Sequence, residues 1–371
     1  MAKKVCIVIV SYNVRSLLTK CIDSVHLALR GLSGDIVVVD NCSKDDTVEY
    51  LQKHYPDVQL IVNQDNVGFA KANNQAIRQT SSEYVLLLNP DTVVYEPTLR
   101  GCIDFMDAHP EAGGAGVRML NREGTPAPES RRAIPTPWVA MLKMLGFTRR
   151  YYMSDLPWDQ PSQIEVISGA YCMLRRQALD QVGLLDEDFF MYGEDIDLSY
   201  RLIKGGWQNW YLPYDIIHYK GESTQKTSFR YVHVFYQAMF IFFRKHYGHL
   251  SLLVTLPIKL AIYFRAFLAL IQMLTARVRR SLGIYKNYGE ERVYVLIGSD
   301  RMKAECRAIL HKKGLTEVQL PTDRRFVTLI YDADTLTYEE IITQATHHAG
   351  YQIGTYHHDS QVIIVQRELF L

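Results

Sequence analysis

Residues 89–92 read Asn-Pro-Asp-Thr and follow Tyr84 to Leu88, a bulky apolar run with the pattern of a strand buried on both faces. Pro90 cannot continue central ladder pairing, so Asp91 sits just past the carboxyl end of that strand. A plain turn explains Asn, Pro and Asp equally well when the stretch stands alone. A second acidic set, Glu194, Asp195 and Asp197, follows the aromatic stretch Phe189 to Gly193. Acids favour a helix N-terminus through its dipole, yet three of them in four positions exceed what capping needs. Carboxylates so placed can move a proton or hold a ligand or cation. Spacing alone leaves the choice open.

The elements that must position these acids alternate in type. Val5 to Val10 reads as a strand, and Val14, Leu17, Leu18, Cys21, Ile22 and Val25 follow at helical spacing with Asn13 as a plausible N-cap. Strand Ile36 to Val39, helix Asp46 to Tyr55, strand Val58 to Val62, helix Phe69 to Gln79 and strand Tyr84 to Leu88 continue the alternation. Repeated β-α-β units with near-continuous apolar strands predict a mostly parallel sheet covered by helices. Such sheets bind ligands at the carboxyl ends of their strands. Here those ends are polar: residues 11–13 (SYN), 40–43 (DNCS), 63–69 (NQDNVGF) and 89–92 (NPDT), with Asp40 and Asp91 at the lip.

Length and composition narrow the class. A chain of 371 residues, 48% hydrophobic and 22% charged, can bury a large core and carries two domains on length alone. The formal net charge of +1 argues against a nucleic-acid binder that relies on a broad basic surface. The six cysteines are scattered without a Cys-x-x-Cys pair, which speaks against a disulfide framework and for a reducing cytosol. The apolar run after Lys3-Lys4 is too short for the core of a signal peptide.

Periodicity fails from Asn121 to Gln163, a stretch holding six of the 13 prolines and the pair Arg131-Arg132. A long irregular segment inside a compact domain reads as a lid or binding loop. The pair either clamps phosphates or an acceptor, or is simply solvated. Leu250 to Leu274 is the most apolar stretch, but Pro257, Lys259 and Arg265 interrupt it. With basic residues at both flanks it predicts helices lying in a bilayer interface, ahead of buried packing helices or a true span. Residues 291–371 predict a separate small α/β unit, ending in a hairpin of strands Gln352 to Tyr356 and Gln361 to Gln366. The pairs His347-His348 and His357-His358 lack Cys or spaced carboxylates, so no metal is expected there.

Taken in order, VIVSYN (8–13), VVVDNCSKDDT (38–47), NVGFAKANNQAI (66–77), LLLNPDT (86–92), ISGAYCMLRR (167–176), FFMYGEDIDLSYRL (189–202) and HYKGEST (218–224) resemble the inverting family 2 glycosyltransferases, close to their bacterial rhamnosyltransferase branch. The resemblance covers roughly residues 4–247. It implies a GT-A fold, Rossmann-like with a mostly parallel central sheet, over residues 1–248. Interfacial helices (249–285) and the small α/β unit (291–371) would follow.

The same resemblance assigns roles. Ser11, Tyr12 and Asp40 would line the nucleotide pocket, Asp40 accepting hydrogen bonds from base or ribose. Asn66, Gly68 and Phe69 would face the donor with free backbone N–H groups. Asp91 would hold a divalent metal, Mn or Mg, that bridges the donor's phosphates. Family members more often carry Asp-x-Asp there; with Asn89 in the first position, His218 would be the helping ligand, unless it is a satisfied lone histidine. Gly169 and Ala170 would let the donor sugar lie against backbone. Of the pair Glu194-Asp195, the second acid would be the general base for in-line attack by an acceptor hydroxyl. The implied partners are a nucleoside-diphosphate sugar, with rhamnose favoured, a saccharide or lipid-linked acceptor, and the cytoplasmic face of the cell membrane, as a peripheral protein in surface polysaccharide synthesis. Two other classes compete. A nucleotidyltransferase would want a Gly-rich phosphate loop after the first strand, and residues 11–15 read Ser-Tyr-Asn-Val-Arg. A silent membrane-associated nucleotide-sugar sensor would tolerate the loss of Asp91 or Asp195, and both are present.

Overall fold

Alternate residues of the first strand, β1 (Val5–Ser11), feed two separate cores. Val5, Ile7 and Ile9 join one apolar cluster, while Cys6, Val8 and Val10 join another on the opposite face. A strand covered on both faces is why the run is apolar at every position from 5 to 10. In this computed structural model the chain is described over residues 3–94, 96–121, 124–219, 229–248, 263, 271, 275, 292–320, 326–348, 351–358, 362–365 and 368–370.

Helix α1 (Arg15–Ala28) covers the first face through Leu18, Cys21, Ile22 and Val25. After β2 (Gly34–Asp40), α2 (Thr47–His54) and β3 (Gln59–Val62), helix α3 (Phe69–Arg78) covers the second face through Ala70, Ala72, Ala76 and Ile77. With β4 (Tyr84–Leu88) these strands pair in parallel in the order β3-β2-β1-β4. The expected elements are all present to within a few residues. Asn13 is not the N-cap of α1: Val14 holds that position and no side chain caps the helix. Asn13 adopts φ 55°, and its Oδ1 accepts from Lys44 N at 2.6 Å, so its amide ties the lip of β1 to the lip of β2.

Beyond β4 the sheet becomes mixed. The chain adds β5 (Thr92–Val93), α4 (Glu96–Ala108), β6 (Ala112–Leu120), α5 (Pro137–Met144), β7 (Ser162–Ile164), β8 (Tyr171–Arg175), α6 (Arg176–Val182), α7 (Glu194–Lys204), β9 (Gln208–His218) and α8 (Phe229–Tyr247). β8 runs antiparallel between β4 and β6, and β9 runs parallel to β6 while pairing antiparallel with β5 and β7. This is the α/β class that the sequence predicts. The irregular stretch 121–163 contains a helix after all: Pro137 opens α5 and the Thr136 side chain accepts from Val139 N.

The carboxyl-terminal residues build a second sheet from β10 (Val293–Ile297), α9 (Asp300–Lys312), β11 (Thr316–Glu317), β12 (Val327–Asp332), α10 (Tyr338–His347), β13 (Gln352–His357), β14 (Val362–Val365) and β15 (Glu368–Phe370). Its order is β11-β10-β12-β13-β14-β15, and β13 and β14 form the expected antiparallel pair. One face makes its own core with α9 through Tyr294, Leu296, Met302, Cys306 and Leu310. The other face shares a cluster with the first sheet: Val293, Val295, Leu329, Tyr331 and Ile353 pack with Leu17, Val93, Leu120, Ile217 and Tyr219. Inside this seam Thr355 Oγ1 accepts from buried Lys20 Nζ at 3.0 Å and lies 3.3 Å from the Tyr219 hydroxyl. The stretch expected to lie in a bilayer interface, 249–285, falls outside the described residues apart from 263, 271 and 275. Among the described residues no helix is long and apolar enough to cross a membrane.

Candidate active site

The carboxyl lips of β1, β2 and β4 open on a cavity of about 450 Å³. Tyr12, Asn66, Phe69, Asp91, Gly169, Ala170, Glu194, Asp195 and His218 all line it, so nine of the expected site residues converge from separate elements. Ser11, Asp40 and Gly68 do not line it. Ser11 and Asp40 are buried behind the lip, at 0% and 1% exposure. Asp40 Oδ2 accepts from Ser43 N at 2.9 Å, and among the described residues its Oδ1 has no partner. A buried carboxylate oxygen left without a donor is costly unless a ligand supplies one.

Gly68 acts through backbone. Its φ is +88°, and a Cβ there would fall 2.6 Å from Phe190 O. That close approach lets Phe69 N donate to Phe190 O at 2.7 Å, locking the lip loop to the segment that precedes α7. Asn41, which the sequence reading passes over, organises the same loop. Its Nδ2 donates to Asn66 Oδ1 at 2.9 Å and its Oδ1 accepts from Val67 N at 3.0 Å. The signal for it was its place directly after Asp40 at a strand lip.

Asp91 and His218 meet because β5 and β9 pair with Thr92 opposite His218. His218 Nε2 lies 3.2 Å from Asp91 Oδ1, both side chains being buried. Asn89 Nδ2 stands 3.4 Å from the same ring nitrogen. An oxygen and a nitrogen this close can share a proton or two positions on one cation.

The three acids of α7 separate into three environments. Asp197 is paired with Arg201 Nε at 2.7 Å and His246 Nε2 at 2.7 Å, which fastens α7 to α8 and keeps Asp197 out of the cavity. Glu194 is buried, and its Oε2 has no partner among the described residues. Burial, and then the neighbouring charge of Asp195, push its carboxyl well above the usual range. Asp195 Oδ2 accepts from Arg132 Nη2 at 2.5 Å and from Gly169 N at 3.2 Å. Of this pair, Asp195 is the carboxylate held in place by two donors at the cavity wall, as a positioned proton acceptor requires.

The two arginines of the irregular segment part company. Arg131 is 2% exposed, donates to Leu156 O and to Pro157 O at 3.0 Å, and stacks on Trp158 at 3.5 Å. It braces its own loop and is neither a clamp nor a solvated charge. Arg132 does reach the cavity, together with Lys143, Tyr151 and Tyr152 from the same segment. This wall gives the irregular stretch its place at the site.

Residues 6–183 match the family model described as Glycosyl transferase family 2. The N-acetylglucosaminyl-diphospho-decaprenol L-rhamnosyltransferase of Mycobacterium tuberculosis is 29% identical over 258 residues, 64% of this chain and 82% of that protein. The low-salt glycan biosynthesis hexosyltransferase Agl10 of Haloferax volcanii is 30% identical over 175 residues, 45% of this chain and 52% of that one. Among solved structures, the Pyrobaculum calidifontis mannosyltransferase PcManGT, in complex with GDP-Man and Mn2+, superposes with a TM-score of 0.45 at 18% identity, over 78% of this chain and 82% of the other. S. aureus TarS 1-349 gives a TM-score of 0.42 at 19% identity, over 62% and 63%.

Proposed function

On the premise that residues 6–183 form a family 2 glycosyltransferase domain, we propose that this chain transfers a sugar from a nucleoside-diphosphate donor to a saccharide acceptor by a single inverting displacement. One observation carries the reading: the Asp91–His218 pair and the Glu194–Asp195 pair open onto the same cavity. In this reading Ser11, Tyr12 and Asp40 take the nucleoside. Asn66 and Phe69 face the donor from the cavity wall, with no backbone N–H left free on Gly68 or Phe69, and Gly169 and Ala170 support its sugar.

Asp91 Oδ1 and His218 Nε2 would hold the divalent metal, Mn or Mg. Their donor atoms are 3.2 Å apart and both side chains line the cavity. When bound, that metal offsets the charge gathering on the departing diphosphate. Asp195, oriented by Arg132 and Gly169 N, removes the proton of the acceptor hydroxyl as its oxygen attacks the anomeric carbon.

The M. tuberculosis relative supports L-rhamnose as the sugar and a polyprenyl-diphosphate saccharide as the acceptor, which is in keeping with a role in surface polysaccharide synthesis. A lipid-linked acceptor would make the chain, with its transferase unit (1–248) and tail unit (291–371), a peripheral protein of the cytoplasmic membrane face.

The test is turnover. Thymidine- and uridine-diphosphate sugars are offered with and without Mn2+ or Mg2+, nucleoside diphosphate release is measured, and the product anomer is assigned by NMR. Release from one donor with inverted product is expected. A product of retained configuration, or tight donor binding without any release, would overturn the reading.

A further inference from the structure

Asp332 ends β12 and is fully buried; Asp334 follows two residues later and is exposed; His358 comes one residue after β13. The sheet places them together because β12 and β13 pair in parallel, with Asp332 opposite Tyr356. One ligand atom from each residue lies within 4.8 Å of the other two. None of the three lines the cavity described above.

Several features fix the geometry beyond mere proximity. His358 Nδ1 lies 2.5 Å from Glu305 Oε2 on α9, and Tyr356 donates to that same oxygen at 2.8 Å. Arg301 Nε donates to the other Glu305 oxygen at 3.0 Å, so the carboxylate is held from three sides. A histidine that donates Nδ1–H to a carboxylate has a defined tautomer, with the Nε2 lone pair free. That Nε2 stands 3.9 Å from Asp332 Oδ1, too far for a hydrogen bond and close enough for two ligands of one ion.

The other oxygen of Asp332, Oδ2, is anchored by Ser299 N at 3.1 Å and Ser299 Oγ at 2.5 Å. Gly298 makes room for the carboxylate's stem, since a Cβ there would fall 2.2 Å from Asp332 Cβ. Asp334 Oδ2 accepts from His358 N at 2.6 Å, which joins the two lips directly. Its exposure leaves a route from solvent. The cluster also sits at the carboxyl ends of β10 and β12, where the chain leaves β10 toward β11 on one side and leaves β12 toward β13 on the other, the place where open parallel sheets take ligands.

We propose that Asp332, Asp334 and His358 form a second divalent-cation site, built for a transition ion such as Zn2+ or Mn2+, with Glu305 as the residue that positions His358. One imidazole with two carboxylates suits these ions, whereas Ca2+ takes oxygen ligands. The site would tie β12, β13 and α9 together at the edge of the tail sheet. It lies apart from Asp91 and stands whether or not the transferase reading holds.

The experiment uses the full chain carrying Asp91→Asn, which removes the carboxylate at the other metal position. Calorimetry with Zn2+ and with Mn2+, each without nucleotide, is expected to give one ion per chain for at least one of the two metals. Adding His358→Gln or Asp334→Asn is expected to abolish saturable binding of that metal. Adding Glu305→Gln should weaken it by about 10–100-fold. Circular dichroism in chelator checks that each variant is folded, and Asp334, being exposed, gives the variant least able to disturb the core. Absence of binding by the Asp91→Asn chain, or undiminished binding after Asp334→Asn or His358→Gln, would overturn the proposal.

Discussion

Arg132 Nη2 lies 2.5 Å from Asp195 Oδ2, so the proposed base is already paired and oriented before any substrate arrives. The contact joins the irregular segment to the first turn of α7. It also divides two questions that substitution can separate, namely what the carboxylate does and what the guanidinium does for it.

Asp195→Asn keeps the size of the side chain and removes its basicity. Turnover is expected to fall by roughly 10²–10⁴, the worth of a positioned base, with donor affinity changed no more than a few-fold. Arg132→Lys should lower turnover less, because a charge remains but the planar donor is lost. Steady-state rates beside donor calorimetry check both. A folded Asp195→Asn protein with near-normal turnover would reduce Asp195 to a helix-end acid worth about 1 kcal/mol.

The lip of β4 makes a second claim. Asp91→Asn is expected to abolish the metal dependence of donor binding, and His218→Ala to weaken it, because the two proposed ligand atoms lie 3.2 Å apart. Calorimetry of donor with and without Mn2+ measures this. Equal affinity in Asp91→Asn and the parent chain would return residues 89–92 to being a turn.

Glu194 gives a pH signature of stability. Its folded carboxyl is raised from 4.5 to about 8 by burial and then by Asp195, so the folded state holds a proton that the unfolded chain has released. Its stabilising contribution is therefore complete below the unfolded value and is lost as pH climbs through the folded one. Glu194→Gln mimics the neutral acid. Its melting temperature is expected to match the parent near pH 4.5 and to exceed it progressively toward pH 8. Parallel melting curves of the two proteins across that range would mean that Glu194 is ionised in the fold.

Much of the site was legible because it hangs on bulky strands. Val5 to Val10 and Tyr84 to Leu88 announce themselves, and their polar ends mark the lip. β6 escaped because Ala112 to Gly116 contains three glycines and no bulky run, so neither periodicity nor β propensity flags it. The role of Arg131 depends on Trp158, a partner that only the folded loop brings to it. Asp332 and Asp334 went unnoticed beside His358 for a related reason: sequence spacing shows ligands on one element, whereas these come from the ends of two neighbouring strands.

The tail unit is expected to fold alone, yet to miss its neighbour. Along β10, Tyr294 and Leu296 face the unit's own core, while Val293 and Val295 face the cluster shared with Leu17, Ile217 and Tyr219. A fragment of residues 291–371 keeps the first core and uncovers part of the second. We therefore expect a cooperative melt at a lower temperature than in the full chain, with self-association through the bared face. In the full chain, Thr355→Val should cost about 1–3 kcal/mol, because it leaves buried Lys20 without its hydrogen-bond partner across the seam. Thermal melts and sedimentation of fragment and full chain decide the matter. An unfolded fragment would show that the second sheet depends on the first. A monomeric fragment as stable as the full chain would mean that the shared cluster contributes nothing to holding the units together.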